Sequence, residues 1–343
     1  MQRAPDEGLA AAAAAAPVPY VAPAWLPGRH LQTVYPALLP QPAPAYRRER
    51  WDTPDGDFVE LDWIDGRAGT PLVVLFHGLE GSSGSHYARA LMRAVAAQKW
   101  HGAVYHYRGC GGAPNRLPRA YHSGDTAEVD WALPKLKARF PAVPVYAVGV
   151  SLGGNVLLKW LGEEGGAASG LVARAAAVSA PLDLMASGQA LEHGFNRFYA
   201  RVFLASLKPK VIELLDRHPG LCDRERVLGA STMREFDDVF TAPVHGFRDT
   251  DDYWTRASSK PWLTRIAVPT LVLNARNDPF LPERALPGAS EVSEQVTLEY
   301  PTQGGHVGFC TGPFPGRIDW LPQRLLGFFR EHRSPVPLLR TDR

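Results

Sequence analysis

Pro144 to Gly166 reads PVYAVGVSLGGNVLLKWLGEEGG. Its first part is rich in valine and bounded by a proline, the composition of a buried parallel strand. From Leu152 onward the apolar residues Leu152, Val156 and Trp160 return at helical spacing, with Leu157 and Leu161 beside them. Gly165 and Gly166 then stop the helix. Between strand and helix lies Gly149-Val150-Ser151-Leu152-Gly153, and a bend this tight pushes the serine hydroxyl out of the backbone envelope. Glycines suit the bend because side chains at the flanking positions would collide, and because positive φ costs little without a Cβ. With 32 glycines in 343 residues, the five-residue pattern is weak on its own. Its position between a strand and a helix carries it, against the plainer reading of a serine that caps a helix.

Working outward, strand-like runs occur at 58–64, 72–76, 103–107, 145–150, 175–179, 270–274 and 296–300. Helical patterns fill many of the gaps, at 85–98, 126–140 and 152–163, and a last one covers 320–330. Alternation of this kind predicts an α/β domain, a doubly wound and mostly parallel sheet with helices on both faces. Its chemistry should sit on loops at the carboxyl ends of the strands. Between Pro181 and Pro269 no convincing strand appears, so an inserted helical cap over the site is expected at about 182–266, inside a domain of 25–343. A packing subdomain without a gating role is the alternative.

The chain carries a formal net charge of +2 and no dense basic run, which argues against nucleic acid as a partner. The RRER cluster at Arg47–Arg50 reads as a solvated loop. Three cysteines, Cys110, Cys222 and Cys310, are far apart and form no CxxC pair, which fits a reducing, cytoplasmic setting. No HExxH or similar ligand spacing occurs, so neither a metal nor a cofactor is expected. Residues 1–24 are dominated by alanine and proline and read as a flexible leader, with an alanine-rich export signal as the alternative. No apolar stretch approaches the ~20 residues of a membrane span, while peripheral contact with a membrane surface stays open, as does the oligomeric state.

A serine hydroxyl needs a base within hydrogen-bond reach and a group that orients the base. Chain order for this topology puts the acid before the histidine. Asp278, in LNARNDPFLP, directly follows one strand, and His306, in PTQGGHVGF, directly follows the next. Asp183 is the second choice of acid; His77 and His332 are poorer bases. Attack on an ester creates an oxyanion, for which the backbone N–H groups of Leu152 and of Leu79, in FHGLEGSSGSHY, are the expected donors.

On GRHLQTVYPALL (28–39), HGLEGSSGSHY (77–87), YRGCGGAPNRLPRAYHSGDTAEVD (107–130), GVSLGGNVLLKWLGE (149–163), EFDDVFTAPVHGF (235–247), NDPFLP (277–282) and GGHVGF (304–309), the chain resembles the YheT-like family of α/β-hydrolases. That group also includes eukaryotic α/β-hydrolase-domain lipases and yeast medium-chain ethyl ester synthases. The resemblance implies the α/β-hydrolase fold, carboxylic ester hydrolysis, and a triad of Ser151, Asp278 and His306. Where the family usually has Asp-Asp-Pro, this chain has Asn277-Asp278-Pro279. Arg108 and Tyr121-His122-Ser123-Gly124 are distinctive; Arg108 is expected to brace loops near the elbow rather than to act in catalysis.

These readings combine into a serine esterase acting on small-molecule esters, with the aromatics Phe195, Phe198, Tyr199 and Phe203 suggesting an apolar acyl pocket. Activity should fall at low pH as the base protonates. An alcohol O-acyltransferase on the same triad and a non-catalytic ligand-binding scaffold are the rival readings. Dehalogenase or epoxide hydrolase chemistry is disfavoured, since on this fold it uses a carboxylate where Ser151 stands.

Overall fold

A computed structural model describes residues 18–331. Its centre is an eight-stranded sheet made of β1 (Arg47–Asp52), β2 (Phe58–Ile64), β3 (Leu72–Phe76), β4 (His101–His106), β5 (Val145–Val150), β6 (Arg174–Val178), β7 (Thr270–Leu273) and β8 (Val296–Glu299). Their order across the sheet is β1-β2-β4-β3-β5-β6-β7-β8. The six strands from β4 to β8 pair in parallel, and β2 and β1 add an antiparallel edge. Strand β3 is buried along its whole length, so it reads as a continuous apolar run. Its side chains still alternate: Leu72, Val74 and Phe76 enter one core cluster, and Val73 and Leu75 the other. Helices α3 (Thr126–Arg139) and α4 (Leu152–Glu164) cover the first face. The other face is covered by α2 (His86–Ala97) and the final helix Trp320–Arg330.

The Arg47–Arg50 cluster is not a loop. It forms most of β1, because acidic residues of the neighbouring hairpin strand and its end meet each arginine. Arg48 pairs with Asp62 at 2.8 Å, Arg50 with Glu60 at 3.0 Å, and Arg47 with Asp65 at 3.2 Å. Charged side chains along an edge also discourage pairing with a second sheet. A further element absent from the sequence reading is α1 (Arg29–Leu38), whose buried residues are Gln32, Thr33 and Pro36.

Between β6 and β7 the chain is helical. Helices α5 (Leu184–Leu191), α6 (Asn196–Arg217), α7 (Arg224–Gly229), α8 (Met233–Phe236), α9 (Ala242–Val244) and α10 (Thr250–Ala257) follow one another. Leu204, Val211, Leu214, Val227, Phe236 and Phe240 form an apolar cluster of their own here.

Of the leader expected over 1–24, residues 1–17 lie outside the described residues. The stretch from Val18 is fastened to the domain. The Tyr20 hydroxyl donates to the Cys310 carbonyl at 2.9 Å, and Trp320 Nε1–H donates to the Val18 carbonyl at 3.0 Å. The three cysteines are unpaired. Among the described residues no helix is long and apolar enough to cross a membrane, and no cluster of three metal-ligating side chains occurs.

Candidate active site

Ser151 occupies the turn between β5 and α4 with φ 52° and ψ −121°. For a residue with a Cβ this conformation is strained, by about 1–3 kcal/mol in general, and persists only where the surroundings fix it. The fixing groups are plain. Ser151 N–H donates to the Val178 carbonyl of β6 at 2.8 Å. A Cβ on Gly149 would come within 2.4 Å of the Gly153 carbonyl, and one on Gly153 within 2.3 Å of the Phe76 carbonyl. The elbow glycines thus serve close approach, and the positive φ belongs to the serine itself, a different division of labour from that expected.

Ser151, Asp278 and His306 come together although 155 positions separate the first from the last. His306 Nε2 stands 3.0 Å from Ser151 Oγ, and His306 Nδ1 stands 2.8 Å from Asp278 Oδ2. The other carboxylate oxygen of Asp278 accepts the Phe280 N–H at 2.8 Å. Asp183 lies elsewhere: it caps α5, accepting the Ala186 N–H at 2.9 Å. His77 is sealed in the core between the Gly78 carbonyl and the Tyr107 N–H, and burial pushes it down to about 3. A group that stays neutral there and touches no solvent is no base for Ser151. His332 lies outside the described residues.

The loop after β3 crosses directly above the serine. A Cβ on Gly78 would meet Ser151 Cβ at 3.0 Å, so only glycine lets the chain pass this close. Two tyrosines hold the loop down. Gly78 N–H donates to Tyr87 Oη at 2.9 Å, and Glu80 N–H donates to Tyr121 Oη at 2.8 Å. Burial raises both phenols, so they remain protonated. The backbone N–H groups of Leu79 and Leu152 donate to no acceptor among the described residues. Both residues line the cavity over Ser151.

The sequence reading missed the residues that hold the histidine. His306 N–H donates to Thr33 Oγ1 at 2.9 Å. Gln32 Oε1 accepts from Gly304 N–H at 3.0 Å and from Asn277 Nδ2 at 2.9 Å, while its amide donates to the Leu26 carbonyl and to Gln303. Asn277 closes the ring, accepting the Gly305 N–H at 3.0 Å. An amide can donate and accept at once, which is what this position asks; an ionised aspartate could only accept. The HLQT stretch of α1 was visible as a motif, but its partners lie some 270 residues away.

Arg108 does not touch Ser151. Its guanidinium, 3% exposed, pairs with Asp55, Asp57 and Glu128, and it ties the β1–β2 turn to α3. Beside it, burial and the neighbouring Glu128 raise Asp125 to about 6. The Tyr121–Gly124 segment is a second tie. Ser123 N–H donates to Tyr253 Oη of the inserted helices at 2.8 Å. Asn155, one turn beyond Ser151, donates to the Ser123 carbonyl at 2.7 Å and to that of Ala257 at 2.8 Å.

A cavity of about 440 Å³ opens over Ser151 and His306, walled by Phe203, Leu207, Val211 and Leu214 of α6 and by Phe236 and Phe240. Of the four aromatics expected to form an acyl pocket, only Phe203 lines it. Tyr199 packs on Phe280 with ring centres 4.8 Å apart. Phe195 and Phe198 are about half exposed and face outward, because helical spacing puts them on the side of α6 away from Leu207, Val211 and Leu214.

The family described as alpha/beta hydrolase fold matches residues 71–313. YheT of Escherichia coli, an esterase by name, is 40% identical over 309 residues, 86% of this chain and 88% of that one. Human phospholipase ABHD3 is 30% identical over 304 residues, 86% of this chain and 74% of that one. Among solved structures, the esterase Pf2001 of Pyrococcus furiosus aligns over 83% of this chain and 91% of its own, with a TM-score of 0.52 at 17% identity, a likeness of fold.

Proposed function

From the premise that the chain belongs to the YheT-like family of α/β-hydrolases and is a carboxylic ester hydrolase, we propose that it works through an acyl-enzyme on Ser151. His306 Nε2 takes the hydroxyl proton as Ser151 Oγ attacks the ester carbonyl carbon. The carbonyl oxygen gains negative charge and is met by the N–H groups of Leu79 and Leu152, each worth about 3 kcal/mol in activation free energy. As the tetrahedral carbon collapses, the proton on Nε2 passes to the leaving alcohol and the C–O bond breaks. Water, deprotonated by the same nitrogen, then attacks the acyl carbon; the bond to Ser151 Oγ breaks, the proton on Nε2 returns to that oxygen, and the carboxylic acid leaves. Asp278 accepts from Nδ1–H, which fixes the tautomer and stabilises the cationic ring.

The observation that carries this reading is the unbroken contact Ser151–His306–Asp278 beneath an apolar cavity. The cavity walls favour an ester with an apolar acyl chain, because each buried CH₂ is worth about 0.8 kcal/mol. The unpaired cysteines fit a cytoplasmic setting. The test is a chain-length series of chromogenic esters, hydrolysed by wild type and by Ser151→Ala. Turnover should rise with acyl length until the cavity is filled and should vanish in the variant; comparable turnover by the two removes Ser151 from the mechanism.

A further inference from the structure

At the start of α6, Phe195, Phe198 and Val202 are 54%, 51% and 51% exposed. Their spacing puts them on one side of the helix, as a single apolar stripe. The stripe is continuous in space: the Phe195 and Phe198 rings stand 5.6 Å apart, and the His30 ring lies 4.5 Å from Phe195. Arg197 and Arg201, one turn apart and both exposed, lie on one side of it, about 100° and about 60° round the helix from Phe198. Arg29 adjoins it, its Nε–H reaching His30 Nε2 at 3.3 Å. None of these three arginines meets a carboxylate among the described residues. Farther along the same helix the cations are engaged, Lys210 with Glu80 and Arg217 with the Asn115 carbonyl. Like charges four residues apart weaken a helix by a few tenths of a kcal/mol unless something outside neutralises them.

We propose that this stripe docks the protein on a lipid surface bearing anionic headgroups. Aromatic and aliphatic groups interleaved with arginine are the chemistry of the membrane interface: rings enter the headgroup boundary while guanidinium groups meet phosphates. A second copy of the chain is the poorer occupant, since a two-fold pairing of this patch sets arginine against arginine. The position suits an ester hydrolase. Tyr199, facing inward beside Phe198, meets Phe280 edge to face, and the Phe280 ring lies 4.2 Å from that of His306. Docking would bring an apolar substrate to within two rings of the reactive histidine. The usefulness of the patch rests on the ester-hydrolase reading; the docking itself does not.

The experiment is co-sedimentation of the Ser151→Ala protein with vesicles of phosphatidylglycerol and phosphatidylcholine, and with phosphatidylcholine alone, at low and high salt. No turnover is needed, so a fault in the proposed mechanism leaves the result untouched. Binding should favour the anionic vesicles and weaken with salt. Arg197→Gln/Arg201→Gln should lower partitioning about thirtyfold, at ~1 kcal/mol for each arginine. Phe195→Ser/Phe198→Ser should lower it as well. Both pairs, made in the active enzyme, should still hydrolyse a short water-soluble ester, which shows that they fold. Absence of binding, binding unchanged by both pairs, or equal binding to phosphatidylcholine overturns the proposal. So does a dimer in sedimentation velocity that Phe195→Ser/Phe198→Ser dissolves, because a second copy would then cover the stripe.

Discussion

Gly78→Ala should damage the chemistry while sparing the fold. The added Cβ would lie 3.0 Å from Ser151 Cβ, 3.4 Å from the Val150 carbonyl oxygen and 3.5 Å from Tyr87 Oη. Carbon atoms in contact sit at about 3.5–4.0 Å, so the loop must retreat from the serine by roughly 0.5–1 Å. Leu79 is the next residue and moves with it. A donor at about 2.9 Å from the developing oxyanion would then stand near ~3.5 Å, where a hydrogen bond is largely lost. Losing one such donor costs about a hundredfold in kcat. KM should change little, since the donor acts on charge that appears only in the transition state. Gly78 is not among the residues with positive φ, so alanine meets no backbone penalty there, and a less flexible unfolded chain offsets part of the crowding. The assay is kcat and KM on a soluble chromogenic ester, beside thermal melts of both proteins. A kcat within twofold of wild type would refute the assignment of Leu79 to the oxyanion.

Gln32→Leu should leave the Gly304 N–H, the Asn277 amide and the Leu26 carbonyl without their partner, at about 1–3 kcal/mol for each buried group. Urea denaturation should show a loss of that order, and kcat should fall at least tenfold with KM little changed. Gln32→Glu keeps the acceptor and should retain more activity than the leucine variant; equal activities would mean that Gln32 does not position the His306 loop. Asp237→Asn should change the pH dependence of stability. Burial raises Asp237 from 3.8 to about 6, despite hydrogen bonds from Thr241 and Trp254. Its contribution is therefore complete below pH 3.8 and lost as pH rises through 6. Asparagine does not titrate, so the stability of the variant relative to wild type should rise between pH 4.5 and 7.5, by about 2 kcal/mol. Chemical denaturation at the two pH values checks this, and a difference that stays flat or falls with pH contradicts it.

What could be read from the sequence was what local rules decide. The elbow around Ser151 announces itself because both glycines are demanded by atoms a few residues away or on the adjacent strand. Asp278 and His306 follow from chain order and from their places directly after β7 and β8. Strand β1 was hidden because its arginines become strand residues only beside Asp62 and Glu60, whose pairing depends on the hairpin register. Helix α1 was hidden for a similar reason: Gln32 and Thr33 look ordinary until the His306 loop is folded onto them. Phe195 and Phe198 misled because composition reports that a segment is apolar without saying which side of α6 each ring takes. Phase along the helix decides that, and the cavity has to be known before the phase has meaning.

The most direct measurement is active-site labelling with a fluorophosphonate, followed by peptide mapping of the adduct by mass spectrometry. One phosphonyl group per chain should appear on the peptide that carries Ser151, and His306→Asn should slow its formation by orders of magnitude. An esterolytic wild type that stays unlabelled, or that carries the group elsewhere with Ser151 untouched, would contradict the account.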